Sequence, residues 1–196
     1  AGMSPATMRQ NLAAADWGDM FIDDPEYAEL SHRNKQMARR FLPGSESGVM
    51  AGGIKYQPGM VTGQKIKLFF NQLLRANQGE RNIEDLPLPL SVIATDIGTG
   101  ERVVFRDGPL TQAMRASMSV PGLLAPVDHQ GRKLVDGGLV DNLPIAEVRE
   151  RCQADVVIAV NVGSPLLKAE EVGSLLTVSA QMIAILTEQN VQLSRA

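Results

Sequence analysis

Histidine and cysteine are nearly missing from this chain: His32, His129 and Cys152 are its only examples. One thiol closes no internal disulfide. Three such residues, far apart in sequence, match no metal-ligand spacing, so neither a metal nor an organic cofactor is expected. Net positive charge is missing too. A formal charge of −3 and a pI near 5.4 argue against a nucleic-acid partner, which needs a basic face. No apolar run is long enough to span a bilayer as a helix. No charged segment leads into an apolar one as in a signal peptide. The first residue is Ala1 rather than Met, so an upstream truncation is expected and compartment stays open. Gly98-Thr99-Gly100 lacks the third glycine and following helix of a dinucleotide loop, which removes a dehydrogenase-like reading.

What is present fits a globular α/β domain. Hydrophobic residues make up 44% and charged residues 21%, and the length suits one domain. Ser4-Pro5 reads as an N-cap and first helical position, opening a helix to residue 15 with Met8 and Leu12 on one face. Residues 16–60 are irregular, with short strands expected at 31–41 and 53–56. Thr62 is expected to cap a second helix, in which Ile66, Phe69, Phe70, Leu73 and Leu74 recur at helical spacing. Strands are expected at 88–95 and 101–106, forming a hairpin across Gly98-Thr99-Gly100, then a helix at 110–118 and a strand at 133–135. Pro144 starts a further helix ending near Cys152. The β-branched run 156–162 reads as a strand buried on both faces. Ser174 caps a last helix whose apolar Leu175, Leu176, Met182, Ile183, Ile185 and Leu186 read as core rather than as a lipid-binding face. Alternating strands and helices predict a layered α/β domain with a mostly parallel central sheet flanked by helices.

Chemistry is concentrated between residues 115 and 144. Here stand Arg115-Ala116-Ser117-Met118-Ser119-Val120-Pro121-Gly122 and Leu134-Val135-Asp136-Gly137-Gly138-Leu139-Val140-Asp141-Asn142-Leu143-Pro144. Asp136 ends an expected strand, where α/β folds place reactive groups. Two glycines behind it allow a sharp turn and leave the carboxylate uncrowded. Taken alone, Asp-Gly-Gly also reads as an ordinary turn.

The order and content of these blocks resemble the patatin-like phospholipases. In that family a serine on a Gly-x-Ser-x-Gly elbow attacks an ester carbonyl, and an aspartate in Asp-Gly-Gly or Asp-Gly-Ala is its base, without a histidine between them. Asp136 matches that aspartate, and Gly137 and Gly138 match its glycines. Residues 116–122 match the family's Ala-Ser-x-x-x-Pro-Gly block, and Asn142-Leu143-Pro144 its Asn-Leu-Pro. The opening Ala1-Gly2-Met3-Ser4-Pro5 and the run from Pro58-Gly59 to Gly63-Gln64-Lys65 resemble further family segments. The resemblance therefore covers nearly the whole chain, residues 1–196. Residues 31–41 and 116–122 look most like bacterial forms joined to an outer-membrane barrel, which would imply an outer-membrane or cell-surface location, and a cytoplasmic one otherwise.

The chain departs from the family at the nucleophile: it contains no Gly-x-Ser-x-Gly. Gly44-Ser45-Glu46-Ser47-Gly48 has its serines in the wrong slots, follows Pro43, and lacks the flanking strand and helix that an elbow needs. It reads as a loop. The resemblance puts the serine and the oxyanion loop upstream of Ala1. It implies hydrolysis of lipid acyl esters by a Ser-Asp dyad, with a lipid substrate and contact with a membrane surface, and an isolated segment without activity. The rival reading is a non-catalytic patatin-like scaffold that docks lipid or a partner. Oligomeric state stays open. Among other residues, His129 reads as a solvated turn residue rather than a triad member. Asp141 reads as a capping or helix-dipole partner. Ser117 and Ser119 read as helix-end packing and capping residues, and Arg115 as a solvated or structural arginine rather than a ligand for an anionic head group.

Overall fold

The computed structural model describes residues 3–20, 48–50, 53–55, 59–61, 63–74 and 81–195. The expected strand at 31–41, the loop at 44–47 and the cap at Thr62 lie outside them. The described elements are α1 (Pro5–Ala14), α2 (Trp17–Met20), β1 (Gly48–Met50), β2 (Gly53–Lys55), β3 (Gly59–Val61), α3 (Gln64–Leu74), β4 (Val92–Asp96), β5 (Arg102–Phe105), α4 (Leu110–Ser117), β6 (Gly122–Leu124), β7 (Val127–His129), β8 (Arg132–Asp136), α5 (Gly138–Asp141), α6 (Ile145–Cys152), a 3₁₀ turn (Ala169–Glu171) and α7 (Leu175–Arg195).

The layered α/β architecture agrees with the sequence, but the direction of the sheet does not. The main sheet has the order β5-β4-β8-β7, and all of its pairs are antiparallel. Among the described residues only β3 and β6 run parallel. Connection length accounts for two of the three pairs. β4 turns into β5 across residues 97–101, and β7 into β8 across Gln130-Gly131; links this short cannot make the long crossover that a parallel pair requires. At the first turn Asp96 accepts from the Gly98 N–H at 2.9 Å through its side chain and from the Gly100 N–H at 2.8 Å through its carbonyl. Gly100 has φ +74°, a conformation that glycine adopts without steric cost.

Leu88 falls outside β4 and is 75% exposed, because Pro87 and Pro89 have no N–H for a ladder. The helix and strand expectations between 101 and 152 agree with the structure to within two residues.

The core forms where α4 crosses the sheet. Leu110, Ala113 and Ala116 share one helix face and meet Ala94, Phe105 and Leu134, with Ile83 beside them. Leu134 is completely buried, which stabilises the fold by roughly 2 kcal/mol. A second cluster joins Met20, Val61, Ile66 and Leu124, so the parallel β3–β6 pair has its own apolar backing. α6 is tied to the sheet by a buried charge. Glu147, 1% exposed, accepts from Arg106 Nε and Nη2 at 2.8 and 2.7 Å and from Ser91 Oγ at 2.6 Å. Arg151 in turn donates to Ser91 Oγ at 2.6 Å.

Two apolar readings need correction. Residues 156–162 form no strand. Val156, Ile158, Val160 and Val162 are 71–88% exposed, and no strand among the described residues pairs with this run. On α7, Met182, Ile185 and Leu186 are also exposed, so the stripe is only partly core. The same holds for Met8 and Leu12 of α1. The caps agree: Ser4 and Ser174 each accept, at 3.1 Å, from the N–H three residues on.

Candidate active site

Asp136 stands at the last position of β8, opposite Ala94 of β4. β7 accompanies β8 only as far as Leu134, so beyond that point β8 has no strand on that side among the described residues. The Ser119 carbonyl takes over there, accepting from the Asp136 N–H at 2.9 Å. On the main-chain carbonyl of Asp136, Thr95 Oγ1 donates at 2.7 Å. The carboxylate is held by the Gly138 N–H, which donates to Oδ1 at 2.7 Å. Backbone and side chain of this one residue are thus fixed from three directions.

The two glycines are needed for space rather than for a special conformation. Gly137 has φ −69°, which any residue adopts. A Cβ there would lie 2.3 Å from the Ile93 carbonyl oxygen and 2.6 Å from its carbon, a clash with the backbone of the neighbouring strand. A Cβ on Gly138 would lie 2.9 Å from Asn142 Oδ1 and 3.1 Å from Asp136 Oδ1, pressing on the carboxylate itself. The sharp-turn reading of these glycines is therefore corrected to close approach. α7 secures the turn from outside: Asn190 Nδ2 donates to the Leu139 carbonyl at 2.5 Å.

Asp136 is half-buried. Burial raises its pKa above the ordinary carboxylate value, and the Gly138 N–H opposes that only in part. Loss of water penalises the charged form, so the ionised carboxylate is a stronger base than an exposed aspartate. The two clearest pockets, of about 440 and 200 Å³, are lined by other residues.

The remaining sequence candidates are placed apart from this carboxylate. His129 is at the end of β7, opposite Arg132, and its ring meets Phe105 edge-on at 5.0 Å. Arg132 precedes Asp136 by four strand residues, about 13 Å at the usual rise, so His129 cannot bridge Asp136 to a nucleophile. Asp141 lies in the single turn of α5 and makes an ion pair with Arg102 at 2.6 Å; the capping reading is corrected to an ion pair, while its place in a helix's first turn agrees with the helix-dipole reading. Ser119 is completely buried and its hydroxyl donates to the Arg115 carbonyl at 2.7 Å. Arg115 is 6% exposed and structural, not solvated. Cys152 is free and exposed. Among the described residues no group of His, Cys, Asp or Glu could hold a metal ion, and no helix is long and apolar enough to cross a membrane. Thr95, Ser119 and Arg115 are the supports that sequence reasoning missed. The signal was available for two of them, since Arg115 and Ser119 belong to the same block of residues 115–122.

The Patatin-like phospholipase family profile matches residues 2–149, a span that includes Asp136 and every contact described for it except that from α7. The chain belongs to the patatin-like phospholipase family. Patatin-like phospholipase domain-containing protein 7 of Rattus norvegicus is 35% identical over 149 residues, 75% of this chain and 10% of that protein. An NTE family protein of Mycobacterium tuberculosis is 47% identical over 79 residues, 40% of this chain and 22% of the relative. A patatin-like phospholipase domain-containing protein of Caenorhabditis elegans is 43% identical over 107 residues, 54% of this chain and 8% of the relative. This patatin-like segment thus spans a quarter or less of each of these relatives.

Proposed function

We propose that the complete protein containing this segment hydrolyses acyl esters of lipids, with Asp136 as general base. The observation that carries this reading is the state of Asp136: a strand-end residue whose backbone N–H and carbonyl are both hydrogen-bonded, whose carboxylate accepts from the Gly138 N–H, and whose basicity is raised by burial. In the proposed reaction a serine upstream of Ala1 gives its proton to Asp136 and attacks the ester carbonyl. As the tetrahedral intermediate collapses, Asp136 returns the proton to the leaving alkoxide, which departs as the alcohol. Asp136 then takes a proton from water, whose hydroxide attacks the acyl-enzyme, and that proton passes to the serine oxygen as the carboxylic acid is released. His129 takes no part, because of its distance along the strand. The lipid substrate and contact with a membrane surface follow from family membership and belong to the same proposal.

The reading is tested by incubating the complete protein with a fluorophosphonate probe, which traps activated serines. Labelling of a single serine in a Gly-x-Ser-x-Gly sequence upstream of residue 1, with loss of ester turnover, is the expected result. Residues 1–196 alone should neither react nor turn over ester. Labelling at Ser45 or Ser47 would show that the nucleophile lies elsewhere. A complete protein without any such serine, yet still binding lipid, would favour the scaffold.

A further inference from the structure

We infer that Ser119 and Arg115 are positioning residues for Asp136, acting through the Ser119 carbonyl. The inference rests on the proposed base role of Asp136. It begins from the missing strand: past Leu134 the β7 side of β8 has no ladder, and the Ser119 carbonyl is what receives the Asp136 N–H at 2.9 Å. The direction of the carboxylate is set by this last peptide of β8, so it depends on where that carbonyl stands.

The position of Ser119 is in turn over-determined. Its N–H donates to the Ala116 carbonyl at 3.1 Å, and its hydroxyl donates to the Arg115 carbonyl. Arg115 Nη1 donates back to the same hydroxyl at 2.5 Å, and Nη2 donates to the Ala125 carbonyl at 3.0 Å. The guanidinium can lie there because Gly63 has no side chain: a Cβ on Gly63 would fall 2.6 Å from Arg115 Nε. Gly63 also has φ +75°, so the start of α3 is shaped around the arginine. Three elements thus converge on the Arg115 guanidinium, namely the end of α4, the link between β6 and β7, and the approach to α3, and the guanidinium holds one buried hydroxyl. That hydroxyl belongs to the residue that holds Asp136. The arrangement gives a buried arginine a structural purpose, with Nη1 on Ser119 and Nη2 on Ala125.

Misplacing a reacting group by about 1 Å can cost up to 10²-fold in rate, whereas substrate binding depends on other contacts. The test measures kcat and KM of the complete protein on a short-chain p-nitrophenyl ester, with melting curves as folding control. Ser119→Ala and Arg115→Met should each lower kcat roughly 10- to 100-fold while KM stays within about twofold, and Arg115→Lys, which can still donate to the hydroxyl, should retain more kcat than Arg115→Met. Should Arg115→Met fail to fold, Ser119→Ala and Arg115→Lys decide the matter. Wild-type kcat in folded Ser119→Ala, or a loss carried by KM alone, would overturn the inference. Asp136→Asn is measured alongside. If it is inactive and Ser119→Ala is not, only the positioning role falls; if Asp136→Asn keeps wild-type turnover, the base assignment falls and the positioning role with it.

Discussion

Residues 132–136 and 156–162 carry the same kind of strand signal and meet opposite ends. The first run is β8, flanked by β4 and β7, with Leu134 and Val135 buried. The second is richer in β-branched residues and forms no ladder among the described residues, with Val156, Ile158, Val160 and Val162 facing water. Intrinsic preference for extended backbone is therefore not what separates them. A strand exists where a neighbour accepts its N–H and C=O groups, and side-chain pattern only says which face would be buried if it did. The paired run ends at Asp136, whose N–H, carbonyl and carboxylate are each hydrogen-bonded, while the other run has no strand partner among the described residues.

The comparison can be broken by disturbing the paired run. Gly137→Ala pushes a methyl into the Ile93 carbonyl, and its cost should reach or pass the upper end of overpacking, about 3 kcal/mol. A melting temperature equal to wild type would mean that β4 and β8 do not approach as closely as described. Glu147→Gln comes next. Arg106 and Ser91 hold the pKa of Glu147 down from 4.5 to about 2. The unfolded chain takes up the proton first, so this stability is complete above pH 4.5 and is lost as pH falls from 4.5 towards about 2. Arg106 is half exposed, so solvent screening reduces the gain to on the order of 2 kcal/mol at neutral pH. Urea titrations at pH 7 and pH 3 should show the wild-type and Glu147→Gln curves converging at the lower pH; a constant gap would contradict the ion-pair account.

Smaller effects sharpen the other half of the comparison. His129→Ala removes the edge contact with Phe105 and should cost about 1 kcal/mol while leaving the turnover of the complete protein unchanged. A loss of turnover matching that of an Asp136 variant would restore a histidine to the mechanism. Val156→Lys and Ile158→Lys should alter the stability of the isolated segment by less than about 0.5 kcal/mol, because both side chains are already in water. Destabilisation of 2 kcal/mol or more in thermal melts would mean that this run is packed after all.

Much of the site was legible in sequence because it depends on local order. Asp136 follows a short apolar strand and precedes two glycines, and its place at a strand end emerged from those residues alone. The resemblance then supplied its role. The hairpin around Gly98 and Gly100 was equally local. The direction of the β4–β8 pair was not, because it depends on which distant strands meet, and hydrophobic pattern does not distinguish parallel from antiparallel partners. The partners of Asp136 were hidden for a similar reason. Nothing about Ser119 or Thr95 in sequence says that one would offer a carbonyl and the other a hydroxyl to a residue many positions away. Nothing local marks Glu147 as buried either; its partners Arg106 and Ser91 lie 41 and 56 positions away.

The central claim is that Asp136 is the base, and replacing it by asparagine in the complete protein tests that most directly. Asparagine can still accept from the Gly138 N–H through its amide oxygen, but it cannot take a proton at neutral pH. Turnover should fall by at least ~10²–10⁴-fold. Stability should move the other way. Burial raises the pKa of Asp136, so the folded state favours the protonated form. The stability this lends is present below the ordinary carboxylate value and is lost as pH rises through the raised one. At neutral pH the ionised carboxylate is thus a cost, and Asp136→Asn should melt at or above the wild-type temperature. An inactive variant with an unchanged or higher melting temperature is the predicted result; near-wild-type turnover in a folded Asp136→Asn protein would contradict the account.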